Sequence, residues 1–306
     1  MARKTTPDAT AGRQSRMTEM ASRTPGGHSM VVTGRWWAGR RRRPDHVIDL
    51  ELAEIIAAIG DGELVPHYQP LVSFQSGRLL GVEALARWDR PGAGRLSPGA
   101  FVPCLEEGRR MTDLTSWMID RACADLDRWR RLFRLPVGFR VAVNVSATEL
   151  VDRRLLRLVG EALQRYRLAA DGLCLELTET AAVEDLATAA EVVRELRALG
   201  TRFALDDFGT GSARRDVLDQ LPFDMVKIDR SYAASLASAD SLAFISEVVA
   251  LAEERRLEVV AEGIETPEQF AALRSLGCRQ GQGFGLGRPA PADVVLAPWM
   301  PAPAGI

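Results

Sequence analysis

Residues 203–211 have the sequence Phe203-Ala204-Leu205-Asp206-Asp207-Phe208-Gly209-Thr210-Gly211, in which an apolar run leads to two adjacent carboxylates and a glycine-rich turn. A buried strand of a parallel sheet has this pattern when it delivers acidic side chains to the edge of the sheet. Because neighbouring anions repel each other, the pair favours a divalent metal ion held by oxygen ligands. The alternative for this stretch alone is an Asp pair that caps the next helix.

The chain around this stretch alternates between strand patterns and helix patterns. We predict helices at 48–59, 112–134, 147–166, 185–198, 236–256 and 267–275. We predict strands at 65–74, 79–88, 139–145, 173–177, 203–205, 225–228, 257–261 and 282–286. Repeated strand-then-helix units predict a parallel α/β sheet, and about eight strands in ~250 residues favour a closed (β/α)8 barrel.

Polar residues stand at or near the carboxyl ends of six of these strands. They are Glu83, Asn144, Glu176, the Asp206–Asp207 pair, Lys227 and Glu262. In a (β/α) barrel the carboxyl ends of the strands converge on one mouth. Any one of these residues alone would be unremarkable at a strand end, but together they predict a functional site.

Two of these positions hold residue types that the chain otherwise avoids. Of the 39 basic residues only Lys4 and Lys227 are lysines, and Asn144 is the single asparagine. A compact ammonium and a neutral amide oxygen differ chemically from guanidinium and carboxylate groups. We therefore expect Lys227 and Asn144 to have roles that Arg and Asp cannot fill.

The donor set at the strand ends suits hard metal ions. Glu83, Asn144, Glu176 and Asp206 offer oxygen ligands for Mg²⁺ or Mn²⁺, and Asp207 and Glu262 add donors for a second ion. Two ions about 4 Å apart bind both the attacking and the leaving oxygen of an in-line phosphoryl displacement.

Two basic residues complete the predicted chemistry. Lys227 would orient the attacking water or help to deprotonate it. Arg87 would lie on the same strand face as Glu83, where its planar fork suits a phosphate. Glycoside hydrolysis by two carboxylates is a weaker alternative, because Asn144, Lys227 and the Asp pair have no place in it.

Ordered motifs also resemble those of the EAL domain family. The motifs are Tyr68-Gln69-Pro70, Glu83-Ala84-Leu85-Ala86-Arg87, Asn144-Val145-Ser146, Glu176-Leu177-Thr178-Glu179, Asp206-Asp207-Phe208-Gly209, Lys227-Ile228-Asp229, Glu262-Gly263-Ile264-Glu265 and Gln282-Gly283-Phe284. The resemblance covers roughly residues 47–300. It implies a modified barrel whose first strand is antiparallel, and hydrolysis of cyclic di-GMP to linear pGpG with two Mg²⁺ or Mn²⁺ ions.

The resemblance also implies individual roles. Glu83, Asn144, Glu176 and Asp206 would bind the first metal ion, and Asp206 would share the second with Asp207. Glu262 would act as general base or as a ligand of the second ion, Lys227 would hold the water, and Glu179 would steady the loop after Asp207. Substrate contacts would come from Gln69, Arg87 and Gln282, with cyclic di-GMP as the substrate and a homodimer as a possible assembly.

One segment departs from the family pattern. The family usually follows the position of Gly211 with an aromatic residue, two serines and a leucine, whereas this chain has Ser212, Ala213, Arg214 and Arg215. In the family this loop couples the metal site to the dimer interface. The alternative to an active phosphodiesterase is therefore a receptor or interaction module that binds cyclic di-GMP with little or no turnover.

The remaining composition divides the chain in two. Residues 1–45 hold ten basic and three acidic residues, although the whole chain has a net charge of −2. We predict a disordered basic tail over 1–46 and the EAL domain over 47–306. Trp36 and Trp37 beside the Arg run leave nucleic-acid or membrane contact open, but a solvated tail is commoner.

The expected location is the cytoplasm. Four scattered cysteines without a CxxC pair are typical of reduced, buried thiols. The sequence has neither an apolar run long enough for a transmembrane segment nor the core of a signal peptide.

Overall fold

The computed structural model describes residues 50–178, 183, 185–210 and 214–300. The predicted tail, Glu179 and the loop residues Ser212 and Ala213 lie outside this range. Within it, the strands are β1 (Leu64–Ser73), β2 (Leu79–Arg90), β3 (Gly94–Leu96), β4 (Arg140–Val145), β5 (Leu173–Thr178), β6 (Arg202–Phe208), β7 (Met225–Ile228), β8 (Glu258–Ala261), β9 (Gln280–Gly281) and β10 (Ala290–Pro291).

Helices follow most of the strands. They are α1 (Leu52–Asp61), α2 (Pro98–Glu107), α3 (Met111–Leu132), α4 (Ala147–Leu150), α5 (Arg154–Arg165), α6 (Leu186–Leu199), α7 (Arg214–Gln220), α8 (Arg230–Ala234), α9 (Ala239–Arg255) and α10 (Pro267–Ser275), with a 3-10 turn at Ala170–Gly172. None of the helices in the described ranges is long and apolar enough to cross a membrane.

Eight strands close into a barrel. The order runs β1, β2, β4, β5, β6, β7, β8 and β9, and β9 pairs with β1 to complete the circle. From β2 to β9 these strands are parallel, whereas β1 is antiparallel to both β2 and β9. The predicted (β/α)8 barrel with an antiparallel first strand is therefore confirmed. β3 extends β2 as a hairpin, and β10 adds to β1.

Several predicted boundaries were wrong. The last barrel strand is β9 at 280–281 rather than 282–286, because Gly283 turns the chain at the end of β9. The predicted helix 147–166 is two helices, α4 and α5. Helix α2 was missed because prolines interrupt its pattern; Pro98 occupies its first turn, where proline is tolerated, and Pro103 lies inside it.

Side chains inside the barrel form three layers, because every second residue of a strand points inwards. The layer at the amino ends is ionic, with Glu258 between Arg140 and Arg202 and hydrogen-bonded by Gln280. The middle layer is small and apolar and consists of Leu71, Ala142, Cys174, Ala204, Met225 and Val260. The third layer, at the carboxyl ends, holds the predicted site residues.

Outward-facing strand residues pack against the helices in the main hydrophobic core. Tyr68 of β1 illustrates the packing: its ring lies edge-on to Trp129 with centroids 4.9 Å apart, and its hydroxyl donates to Asp125 Oδ2 at 2.7 Å. Local signals fix the helix starts, for example Thr266, whose side chain accepts from the backbone N–H of Gln269 in a capping box. The four cysteines are free and buried.

Candidate active site

The carboxyl-end layer brings together predicted residues from six strands and two residues that directly follow β8 and β9. Strand pairing places Gln69 opposite Glu83 and Asn144 opposite Glu176. The other members, Asp206, Lys227, Glu262 and Gln282, follow round the barrel, and all but Asn144 and Glu262 are buried. The site is therefore set by barrel register, not by sequence proximity.

Lys227 lies at the centre of this layer and is only 2% exposed. Its Nζ atom is 2.9 Å from Glu176 Oε2, 3.0 Å from Asp206 Oδ1, 2.8 Å from Glu262 Oε1 and 3.4 Å from Glu83 Oε2. Burial lowers the pKa of Lys227, but the four carboxylates outweigh burial and raise that pKa well above its usual value. The ammonium is therefore charged and holds the carboxylates together.

An irregularity near the end of β6 brings the carboxylates of Asp206 and Asp207 to the same side of the strand. Successive residues of a regular strand point to opposite faces, yet oxygens of Asp206, Asp207 and Glu262 lie within 4.8 Å of one another. The β6–β7 register shifts between Leu205 and Phe208, and Asp207 has a φ of 54° in the left-handed region. This bulge turns both carboxylates towards the mouth.

Two amides connect the carboxylates. Asn144 Nδ2 donates to Glu83 Oε1 at 3.0 Å. Gln282 Nε2 donates to Glu83 Oε2 at 2.6 Å and to Glu262 Oε1 at 2.8 Å. Gln282, predicted as a substrate contact, is thus engaged with the acidic residues of the site.

Negative charge in the layer exceeds what Lys227 neutralises. Burial, with repulsion from Glu83 and Asp206, raises the pKa of Glu176 to about 8. Burial, with repulsion from Asp206, raises the pKa of Asp207 to about 8. Burial also raises the pKa of Glu262 well above its usual value, whereas for Glu83 the effect of burial is outweighed by Lys227 and the amides, which lower its pKa. Further positive charge would stabilise all of these carboxylates in their ionised forms.

The oxygen atoms are grouped as metal ligands would be. Glu83, Glu176 and Asp206 form one set of carboxylates within 4.8 Å of one another, and Asp206, Asp207 and Glu262 form a second. The two sets share Asp206. Oxygen-only donors with excess negative charge suit Mg²⁺ or Mn²⁺, so the residues present fit two such ions.

The rim above the carboxylates carries the other predicted substrate residues. Gln69 Nε2 donates to the Gly287 carbonyl oxygen at 3.4 Å. Arg87 Nη1 donates to the Ala86 carbonyl oxygen at 2.8 Å, and burial lowers the pKa of Arg87 although Glu83 opposes this shift. Neither contact involves the metal-ligand candidates directly.

Two residues near the site had no predicted role. His67 lies two positions before Gln69, hence on the same face of β1, and its buried Nε2 has no hydrogen-bond partner among the described residues. Burial, then Arg95 and Arg87, lowers the pKa of His67. Asp229 is buried and accepts from the Ser231 backbone N–H at 2.9 Å to begin α8. The alternation of β1 would have placed His67 on the same face as Gln69. For Asp229 the sequence shows only that an Asp precedes a helix, which is typical of a capping residue.

The closed barrel, with an acidic layer at the carboxyl ends of its strands, places the chain among (β/α)-barrel domains with a candidate active site at the mouth. Comparisons with known proteins identify the family. Residues 53–289 match the family model described as EAL domain, and the chain belongs to that family. The EAL resemblance of the motifs is therefore confirmed.

Similar proteins include two from Pseudomonas aeruginosa. The bifunctional diguanylate cyclase/cyclic di-GMP phosphodiesterase MucR is 38% identical over 247 residues, 80% of this chain and 36% of that protein. The cyclic di-GMP phosphodiesterase PA2567 is 36% identical over 223 residues, 72% of this chain and 38% of that protein. The chain thus spans about a third of the length of the curated relatives it matches.

A solved structure described as the PaMucR phosphodiesterase in complex with c-di-GMP is similar over nearly its whole chain. The TM-score is 0.74 with 38% identity, covering 79% of this chain and 98% of that one.

Proposed function

We propose that this domain hydrolyses cyclic di-GMP to linear pGpG in a reaction that requires Mg²⁺ or Mn²⁺. The observation that carries the proposal is the pair of carboxylate sets that share Asp206 at the barrel mouth. The names of similar proteins, two of which include cyclic di-GMP phosphodiesterase activity, support the choice of substrate.

The roles of the acidic residues follow from their grouping. Glu83, Asn144, Glu176 and Asp206 would hold the first ion, and Asp206 and Asp207 the second. Glu262 would serve as a further ligand or as the general base. When bound, the ions neutralise phosphate charge and lower the pKa of water.

Lys227 would position the attacking water, and Glu262 would deprotonate it. The oxygen of the water would bond to phosphorus and the P–O3′ bond would break. The O3′ atom would leave as a hydroxyl with a proton from solvent, and Glu262 would return the proton of the water to solvent. Glu262 would accept the proton of the water, and the ammonium of Lys227, 2.8 Å from Glu262 Oε1, would hold the water in line. This arrangement adds one water to one phosphodiester bond.

Gln69, Arg87 and Gln282 would bind the substrate. The guanidinium of Arg87 offers the fork of donors that phosphate oxygens accept. Gln282 would exchange its present contacts with Glu83 and Glu262 for contacts with the ligand or the ions. Glu179, outside the described residues, would steady the loop after Asp207.

Product analysis in ¹⁸O-labelled water tests this function. We expect Mn²⁺-dependent conversion of cyclic di-GMP to pGpG with one ¹⁸O on the new 5′-phosphate, detected by mass spectrometry. Glu262→Gln should lose turnover by about 10²-fold or more. A product labelled at the 3′-oxygen, or equal turnover by Glu262→Gln, would contradict the proposed chemistry.

The second candidate, a cyclic di-GMP receptor, is favoured only by the sequence departure at residues 212–215. It predicts tight binding of cyclic di-GMP without pGpG at any Mn²⁺ concentration. The same assay therefore separates the two functions.

A further inference from the structure

Helix α8 contacts the turns that follow two of the candidate metal ligands. Asp207 and Glu262 belong only to the second of the two carboxylate sets, in which Asp206 is the third member. Gly209 lies two residues after Asp207, and Gly263 directly follows Glu262. A Cβ atom added to either glycine would lie 2.3 Å from a side-chain atom of α8. Both turns are therefore packed directly against the same five-residue helix.

Tyr232 of α8 makes the contact with the turn after Asp207. Its hydroxyl donates to the carbonyl oxygen of Gly209 at 2.8 Å, and its ring stacks on Phe244 of α9 with the two centroids 4.1 Å apart. Because Gly209 is buried, its carbonyl oxygen needs a hydrogen-bond donor within the protein. The backbone of the turn is thus attached to α8 at a point two residues from Asp207.

The turn after Glu262 is attached to the same helix. Gly263 has a φ of 68°, and a Cβ at this position would lie 2.3 Å from Arg230 Cβ and 2.9 Å from Arg230 Cα. Gln269 of α10 donates from Nε2 to the Ala233 carbonyl oxygen at 3.0 Å, and its Oε1 accepts from two backbone N–H groups just before α10. One short helix therefore fixes the backbone on both sides of the second carboxylate set.

We propose that α8 positions the ligands of the second metal ion and that Tyr232 is a positioning residue for Asp207, an inference that rests on the proposed function of the site. A ligand that is already held in place loses less conformational freedom when the ion binds, so the affinity for the ion is higher. Glu83 and Glu176 of the first set lie on β2 and β5, so the effect is expected at the second ion. Tyr232 acts through Asp207 and takes no part in the chemical step.

Mn²⁺ titration of the metal-free protein without substrate, followed by calorimetry, tests this inference. Tyr232→Phe keeps the stacked ring and removes only the hydroxyl. Because one hydrogen bond to the turn is lost, we expect the second ion to bind about three- to tenfold more weakly and the first ion to bind as in the wild type. Tyr166→Phe is the matched control: it removes a hydroxyl that donates to Asp120 Oδ2 at 3.1 Å and should leave both affinities unchanged.

Turnover gives a second readout. The Mn²⁺ concentration for half-maximal hydrolysis of cyclic di-GMP should rise in Tyr232→Phe by the same factor as the dissociation constant of the second ion. The KM for cyclic di-GMP at saturating Mn²⁺ should not change. Thermal unfolding of the metal-free variants checks that the fold is intact.

The outcomes separate the inference from the proposed function. Equal affinities of the wild type and Tyr232→Phe for the second ion would overturn the positioning role and leave the proposed function standing. Weaker binding of both ions by the same factor would also overturn it, because the hydroxyl would then not act on the second set. Binding of fewer than two ions by the wild type would overturn the two-ion site of the proposed function and, with it, this inference.

Discussion

Lys227 is the residue on which the charge balance of the site depends. It is a single cation that contacts four carboxylates from four other parts of the barrel, and three of them are buried. In a chain that otherwise uses arginine, a lysine here is explained by space: a compact ammonium fits between four oxygens, whereas a planar guanidinium does not. Its positive charge holds the candidate metal ligands close to one another.

The exchange of Lys227 for arginine tests this explanation. Lys227→Arg keeps the charge, but the larger group displaces the water and the carboxylates, so we expect kcat to fall about 10²-fold or more with cyclic di-GMP binding largely retained. Steady-state kinetics and calorimetry measure the two effects. Arg274→Lys, at an exposed position of α10, is the control. Near-normal turnover by Lys227→Arg would show that the identity of the cation is unimportant.

At the residue scale the sequence predicted which side chains lie together at the barrel mouth, but not which hydrogen bonds join them. Asn144 and Lys227 were identifiable because their residue types are rare in this chain. The hydrogen bonds from Gln282 to Glu83 and Glu262 join positions up to 199 residues apart and depend on the stagger of β9 against its neighbours. Hydrophobic periodicity does not encode that stagger, so the contacts emerged only from the structure.

At the scale of elements, the end of β6 determines whether both aspartates reach the mouth. After the bulge at Asp207, Gly209 has a φ of 114°, and its carbonyl oxygen accepts from the Tyr232 hydroxyl at 2.8 Å. A Cβ at Gly209 would lie 2.3 Å from Tyr232 Cε2 and 2.9 Å from Phe244 Cζ. The turn after the aspartates is therefore packed too closely for any side chain.

Alanine at Gly209 should therefore damage both the fold and the site. We expect Gly209→Ala to lower the free energy of unfolding by about 2 kcal/mol or more and to weaken Mn²⁺ binding, because the ring of Tyr232 must move. Gly138→Ala is the matched control: Gly138 also has a positive φ, of 79°, but a Cβ there would meet nothing within 4 Å. Chemical denaturation and Mn²⁺ titration of both variants measure the effects. Equal losses would mean that the left-handed backbone, not the packing, explains the glycine.

The loop that follows offers a gain-of-function test. Ser212→Tyr, Arg214→Ser and Arg215→Leu together restore the family pattern after Gly211. If the native sequence impairs the second metal site, the triple variant should have a higher kcat and need less Mn²⁺. The measurement is kcat against Mn²⁺ concentration for both proteins, and superimposable curves would show that the departure is harmless.

At the scale of the whole molecule, the inside of the barrel has three layers along its axis, and the candidate site lies in one of them. The amino-end layer around Glu258 is ionic, the middle layer is apolar, and the carboxyl-end layer carries the site. Burial alone would raise the pKa of Glu258, but Arg140, Gln280 and Arg202 outweigh burial and lower that pKa. The ionised form is therefore the one that the folded barrel stabilises.

The lowered pKa of Glu258 predicts how the stability of the fold depends on pH. Because the pKa of Glu258 is lower in the folded than in the unfolded chain, its contribution is present above about pH 4.5 and is lost as the pH falls through the folded pKa. Glu258→Gln should reduce stability at pH 7 and flatten the loss of stability at acidic pH, measured by denaturation at a series of pH values. Glu253→Gln, in an exposed pair with Arg279, is the control. Parallel curves for the wild type and Glu258→Gln would contradict the assignment.

The closed barrel was predictable from the alternation of strands and helices, since parallel strands need crossover helices. The direction of β1 was not, because a period of two is the same in both directions; only the family resemblance implied it. The predicted boundaries of the elements were wrong where glycine or proline interrupts the hydrophobic pattern, at Gly283 after β9 and at Pro103 within α2. Local signals thus specify the number and order of most elements, and tertiary pairing decides where they end.

The initial rate of pGpG formation, measured as Mn²⁺ is added to protein freed of metal, tests the proposed metal-dependent hydrolysis most directly. We expect no turnover in EDTA, a rise with Mn²⁺ that requires two ions, and no activity when Ca²⁺ replaces Mn²⁺, because the longer and looser coordination of Ca²⁺ misplaces the water. Full turnover in EDTA, or tight binding of cyclic di-GMP without pGpG at any Mn²⁺ concentration, would contradict it.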